Sequence, residues 1–104
     1  MKTVVQLKTP LGDRLWMGFN GDCKSPENCC VFDSQEAGTK AGNHLLGRHS
    51  DAFWRSEVEH QQNALKEYHG WEFLVVPVED GEYTIDHRGL RALTEGACKR
   101  LETV

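Results

Sequence analysis

The residues of this 104-residue chain best suited to chemistry are its cysteines (Cys23, Cys29, Cys30, Cys98) and histidines (His44, His49, His60, His69, His87). Thiolate and imidazole are ligands that zinc prefers, and together they form the nucleophile and base of thiol catalysis. Their spacing matches neither use closely. No Cys-x-x-Cys pair occurs, and a site built on Cys23, Cys29 and Cys30 needs His44 or His49 brought back to it by the fold. The simpler reading is buried, reduced thiols and solvated imidazoles, because no secretion signal is evident. A Cys23–Cys29 bridge belongs only to an oxidising compartment, and a vicinal Cys29–Cys30 bridge strains the backbone. Glycine-rich phosphate loops, Gly-x-Ser-x-Gly elbows and His-Glu-x-x-His are absent from the sequence, so no catalytic residue, metal or cofactor is assigned.

Carboxylates give the stronger signal. Residues 51–82 hold eight of them (Asp51, Glu57, Glu59, Glu67, Glu72, Glu79, Asp80, Glu82) against Arg55 and Lys66, a local charge of −6 in a chain of net charge −4. Such a concentrated field favours a basic partner. Glu57 and Glu59 lie two apart on an expected helix and so face different directions, which argues against a catalytic pair.

Bases are thinner and mixed with acids. His87, Arg88, Arg91, Lys99 and Arg100 alternate with Asp86, Glu95 and Glu102, the pattern of a solvated face. Direct nucleic-acid binding calls for more phosphate-neutralising charge than an acidic chain supplies. Large rings add a second kind of contact. Trp16 falls on the polar side of its strand, and Phe53 and Trp54 are adjacent, so at least one of these rings is expected at the surface. Exposed aromatics beside charge anchor protein interfaces. Expected partner-binding residues are therefore Glu57, Glu59, Glu67, Glu72, Glu79, Asp80 and Glu82, with Trp16 and Trp54. A third layer or a second copy of the chain is the alternative cover for the rings.

These residues need elements to position them. Val4–Lys8 and Arg14–Phe19 read as strands of a hairpin turned by Pro10-Leu11-Gly12-Asp13. Alternation puts Leu15, Met17 and Phe19 on its buried face, with Arg14, Trp16 and Asn20 on the other. Residues 23–28 read as an exposed loop before a short strand, Cys29–Phe32. Asp33 with Glu36 forms a helix start, Gly38 and Gly42 let that helix lie close to a sheet, and Gly47 ends it. Ser50-Asp51 begins a second helix carrying Trp54, Val58, Leu65 and Tyr68 at helical spacing, closed by Gly70. Trp71–Val78 is the most apolar run and reads as a buried strand whose Pro77 belongs at an end or an edge. Glu79-Asp80-Gly81 predicts a hairpin to a return strand, residues 82–85. Asp86 is placed to cap a last helix bearing Leu90, Leu93, Ala97 and Leu101.

The expected fold is therefore α+β: one domain spanning residues 1–104, with an antiparallel sheet of four or five strands, an N-terminal β-hairpin, and two or three helices packed mainly on one face. Its length and 38% apolar content suffice for a core without metal or disulfide support. No segment approaches the ~20 apolar residues of a membrane-spanning helix, so a soluble, cytoplasmic protein is expected.

The order of hairpin, strand ending in Val31-Phe32-Asp33-Ser34-Gln35-Glu36-Ala37, helix, and strand Phe73–Val78 resembles small phage and prophage proteins over roughly residues 1–80. Some anti-CRISPR proteins are similar in size, charge and layout. That resemblance implies stoichiometric inhibition, an acidic surface occupying the basic channel where a CRISPR complex holds nucleic acid.

Overall fold

The computed structural model describes residues 1–18, 21–23, 25–48 and 55–103, with backbone alone for 21–23. Strands β1 (Lys2–Lys8), β2 (Arg14–Gly18), β3 (Gly21–Cys23) and β4 (Glu72–Val78) form an antiparallel sheet in the order β3-β2-β1-β4. Helix α1 (Gln35–Leu45) follows β3, and α2 (Arg55–Glu67) leads into β4. Then come β5 (Tyr83–Ile85) and β6 (Arg91–Leu93), a two-stranded antiparallel sheet, and α3 (Glu95–Glu102). The α+β class and the N-terminal hairpin are as expected.

Helix α1, with α2 against its end, lies on one face of the large sheet, and α3 covers the other. On one face Gly38 and Gly42 bring the α1 backbone down onto β1 and β4. A Cβ at Gly38 would sit 2.8 Å from Thr3 Oγ1, and one at Gly42 would sit 2.6 Å from the Phe73 ring. Thr3, buried, donates through Oγ1 to Ser34 O at 2.9 Å and so ties β1 to the start of α1. On the opposite face Val4, Trp16, Val76 and Val78 pack with Leu93 of β6 and with Ala97, Cys98 and Leu101 of α3 in one buried cluster.

That second layer corrects the reading of β2. Trp16 is 3% exposed, and both Leu15 and Met17 are half-buried. Alternation separates two faces of a strand, but when both are covered it does not tell which is wet.

Local starts and turns shift as well. The α1 N-cap is Ser34, whose Oγ accepts from Ala37 N at 3.1 Å, while Asp33 is drawn outward to Lys2 and Arg91. Cys29 and Phe32 make isolated bridges to Gly18 and Thr3 in place of a strand. Cys23 closes β3, and Pro26–Asn28 is a 3-10 turn with Pro26 buried, where an exposed loop was expected. Asp80–Glu82 is likewise a 3-10 turn, and the strand after it pairs with β6, not back with β4. Asp86 caps no helix: its carboxylate accepts from the amides of Arg88 and Leu90 in the β5–β6 turn, where Gly89 takes φ +80°. The last helix starts at Thr94, which accepts from Ala97 N. Its Ala97 and Leu101 are core, and Leu90 is exposed.

Gly47 (φ +72°) and Gly70 (φ +79°) end α1 and α2 in the left-handed conformation their positions demand. Pro77 lies on β4, the edge of the sheet, as expected of a residue without an amide. Among the described residues no helix is long and apolar enough to cross a membrane.

Candidate partner-binding surface

Helix α2 is built to be seen from outside. Of its thirteen residues only Ala64 is buried, against the close approach of Gly47 at the end of α1. A further link to α1 is a stack of the His44 and His60 rings, 4.8 Å between centroids and 19° from parallel. Glu57 is half-buried and lines a groove beside α1, Glu59 pairs with Arg55 one turn earlier, and Glu67 is exposed. Glu67 occupies the last turn of the helix, where the helix dipole disfavours a carboxylate. Val58 and Leu65 are also exposed.

The seven expected carboxylates fall into two groups. Glu57, Glu59 and Glu67 on α2 lead to Glu72 at the start of β4; Glu79, Asp80 and Glu82 lie beyond its far end. Six strand residues separate Glu72 from Glu79, roughly 20 Å along the chain. That exceeds the ~8 Å screening length at physiological salt, so the two groups act independently on a partner.

Glu67, Glu72 and Asp80 make no ion pair among the described residues, although Glu72 stands across from Lys8 in the β1–β4 register. Glu82 is different. It accepts from Arg100 Nε at 2.6 Å and Nη2 at 2.8 Å, and from Glu79 N at 2.9 Å. The Arg100 bonds, then the Glu79 amide, hold its carboxyl below the usual range. It fastens the turn to α3 and has little capacity left for a partner.

Trp16, expected as an exposed anchor, is removed from the surface by the α3 layer. Trp54, Asp51 and His49 lie outside the described residues.

Cations in the last third of the chain are occupied internally. Arg88 pairs with Asp86, Arg91 with Asp33, Lys99 with Glu95 and Arg100 with Glu82. The expected solvated, mixed face thus consists of neutralised pairs. Asp33 receives hydrogen bonds from Lys2 and Arg91, which depress its pKa.

The groove of about 1080 Å³ beside α1 has half-buried Met17, Ala37 and Ala41 and exposed Lys40, His44 and Arg48 among its walls. It mixes both signs of charge, and its described lining contains neither Cys nor Ser. Cys29, Cys30 and Cys98 are buried. Burial first, then Glu27 and Glu102, pushes the Cys98 thiol above its ordinary pKa, opposite to what a nucleophile needs. His44, invoked with Cys23, Cys29 and Cys30 in the zinc and thiol reading, instead stacks on His60. Among the described residues no three His, Cys, Asp or Glu side chains come together as metal ligands.

Sequence reasoning missed the open edge of β4, which no residue pattern announces beyond Pro77. Comparison of the chain with protein-family models, curated proteins and solved structures finds no match in any of the three.

Proposed function

We propose that this protein is a non-enzymatic binding module that docks the acidic helix α2 on a basic protein surface. Within that class our reading is a cytoplasmic phage or mobile-element inhibitor, anti-CRISPR-like, that blocks a basic nucleic-acid-binding surface of a bacterial complex. One observation carries the proposal: α2 buries a single residue against its own chain while offering Glu57, Glu59 and Glu67 beside exposed Val58 and Leu65. Helices of this length draw most of their stability from a packed apolar face, and α2 has little of that from within the chain. A partner supplies what is missing. Charge brings the basic surface in, and Val58 and Leu65 provide contact once it has arrived.

The test compares capture from a bacterial lysate by the wild-type chain and by Glu57→Lys/Glu59→Lys/Glu67→Lys, followed by a nucleic-acid-binding assay on whatever is captured. The proposal requires a captured protein whose nucleic-acid binding is lost in the complex, and at least tenfold weaker capture by the folded variant. Equal capture by both chains, or capture of nucleic acid without protein, refutes it.

A further inference from the structure

Among the described residues β4 is a sheet edge with a short run of open backbone groups, which a second copy of the same edge can satisfy in full. Thr3 exchanges both of its backbone bonds with Phe32, on the side of β1 away from β4. Thr3 is opposite Pro77, so the β1–β4 ladder bonds run through Lys2–Val78, Val4–Val76, Gln6–Leu74 and Lys8–Glu72. The amides and carbonyls of Phe73 and Val75 then point outward, along with the carbonyls of Trp71 and Pro77.

Both ends of this edge are closed within the chain. Arg48 donates to Trp71 O, and Trp71 N is spent on Tyr68 O. Arg100 Nη2 donates to Pro77 O at 3.4 Å, and Pro77 has no amide. Among the described residues two donors and two acceptors remain, on Phe73 and Val75.

We infer that two copies of this chain pair their β4 edges antiparallel about a two-fold axis at Leu74. Phe73 of each copy then faces Val75 of the other, and all four open groups of each edge are satisfied. Shifting the axis one step either way sets Phe73 against Pro77, which has no amide, or Val75 against Trp71, whose groups are taken. Only the Leu74 register uses every open group and no occupied one. Leu74 is 58% exposed for a residue in the middle of a strand, and this register places the two Leu74 side chains against each other. The ends complement in charge as well. Arg48 at the Trp71 end of one copy approaches the end of the other where Glu79 and Asp80 follow Pro77. The result is a continuous eight-stranded sheet in which neither β4 is an edge.

Sedimentation of the full chain over a micromolar-to-millimolar series tests this. The expected result is a shift from one chain mass to two. Leu74→Lys, which sets two ammonium groups opposite each other at an exposed position, weakens the dimer at least tenfold with an unchanged circular dichroism spectrum. In a Cys23→Ser chain, Leu74→Cys cross-links on mild oxidation, because directly opposed residues of such a pair are ~4.5 Å apart, within disulfide reach. Ile85→Cys, equally exposed at 63% but off the axis, does not. A wild-type chain that stays monomeric throughout, a dimer indifferent to Leu74→Lys, or equal cross-linking at both positions overturns the inference.

Discussion

Replacing Arg100 by alanine breaks a bidentate ion pair with Glu82. Arg100 holds Glu82 through two bonds of 2.6 and 2.8 Å and reaches Pro77 O, so α3, the 3-10 turn and the end of β4 meet in its guanidinium. An exposed pair contributes ~0–1 kcal/mol, and Arg100 is 44% exposed, so screening holds this pair near the upper end of that range despite its bidentate form. Glu82 is only 19% exposed and loses its main partner in the variant, which adds part of the penalty for a stranded acceptor. The expected loss for Arg100→Ala is therefore about 1.5 kcal/mol at pH 7. That corresponds to a melting temperature lower by roughly 6–8 °C for a chain of this size. A cycle with Glu82→Gln and the double variant should give a coupling energy near 1 kcal/mol. The pH dependence has a defined sign. Glu82 has a folded pKa depressed below its unfolded value, so its contribution is complete above the unfolded pKa near 4.5 and fades as pH falls through the folded pKa. Urea unfolding at a series of pH values should thus show the gap between wild type and Arg100→Ala constant from pH 7 to 5 and closing in stronger acid. A coupling energy of zero, or a gap that does not close, refutes the reasoning.

Leu101→Ala should cost about 2–4 kcal/mol in urea unfolding, because Leu101 is fully buried in the cluster on the second face of the sheet. Gly47→Ala should lower stability by more than about 1 kcal/mol, since its φ is +72° and the new Cβ would sit 2.6 Å from Gln61 O; a neutral result would mean that α2 does not rest there. Gln6→Met should stabilise the fold by up to about 1 kcal/mol, as Gln6 Nε2 is buried without a partner among the described residues. Cys98 should resist alkylation at pH 7.5 in the native chain and react on denaturation, by mass mapping, because burial and neighbouring carboxylates keep its thiol protonated.

Signals that act within a few residues were readable in order along the chain. Gly47 and Gly70 end helices because only a residue without Cβ takes positive φ easily, whatever lies around it. Pro77 must sit where no amide is needed, at a strand's end or on an edge, and the composition of Trp71–Val78 reads as a strand; that β4 is an edge with only Val76 and Val78 buried, not a well-covered strand, was set by the fold. Concentration of charge in residues 51–82 is equally a property of the sequence, as is the exposure of most α2 carboxylates.

What pairs with what was decided elsewhere. Asp33 and Ser34 are both good caps, and the choice fell to Ser34 because Lys2 and Arg91, 31 and 58 residues away in the chain, claim the Asp33 carboxylate. Asp86 carries the same local signal for a helix start as for a tight turn, and the turn wins because Leu93 and Tyr83 bury themselves against a cluster that no neighbouring residue reveals. Trp16 is the clearest case. Its strand alternates as a one-sided sheet would, yet α3 folds back from the far end of the chain to cover the side that alternation leaves open. Periodicity records the faces of an element, and only the tertiary fold supplies the neighbours that make a face dry or divide one acidic run into two separate groups.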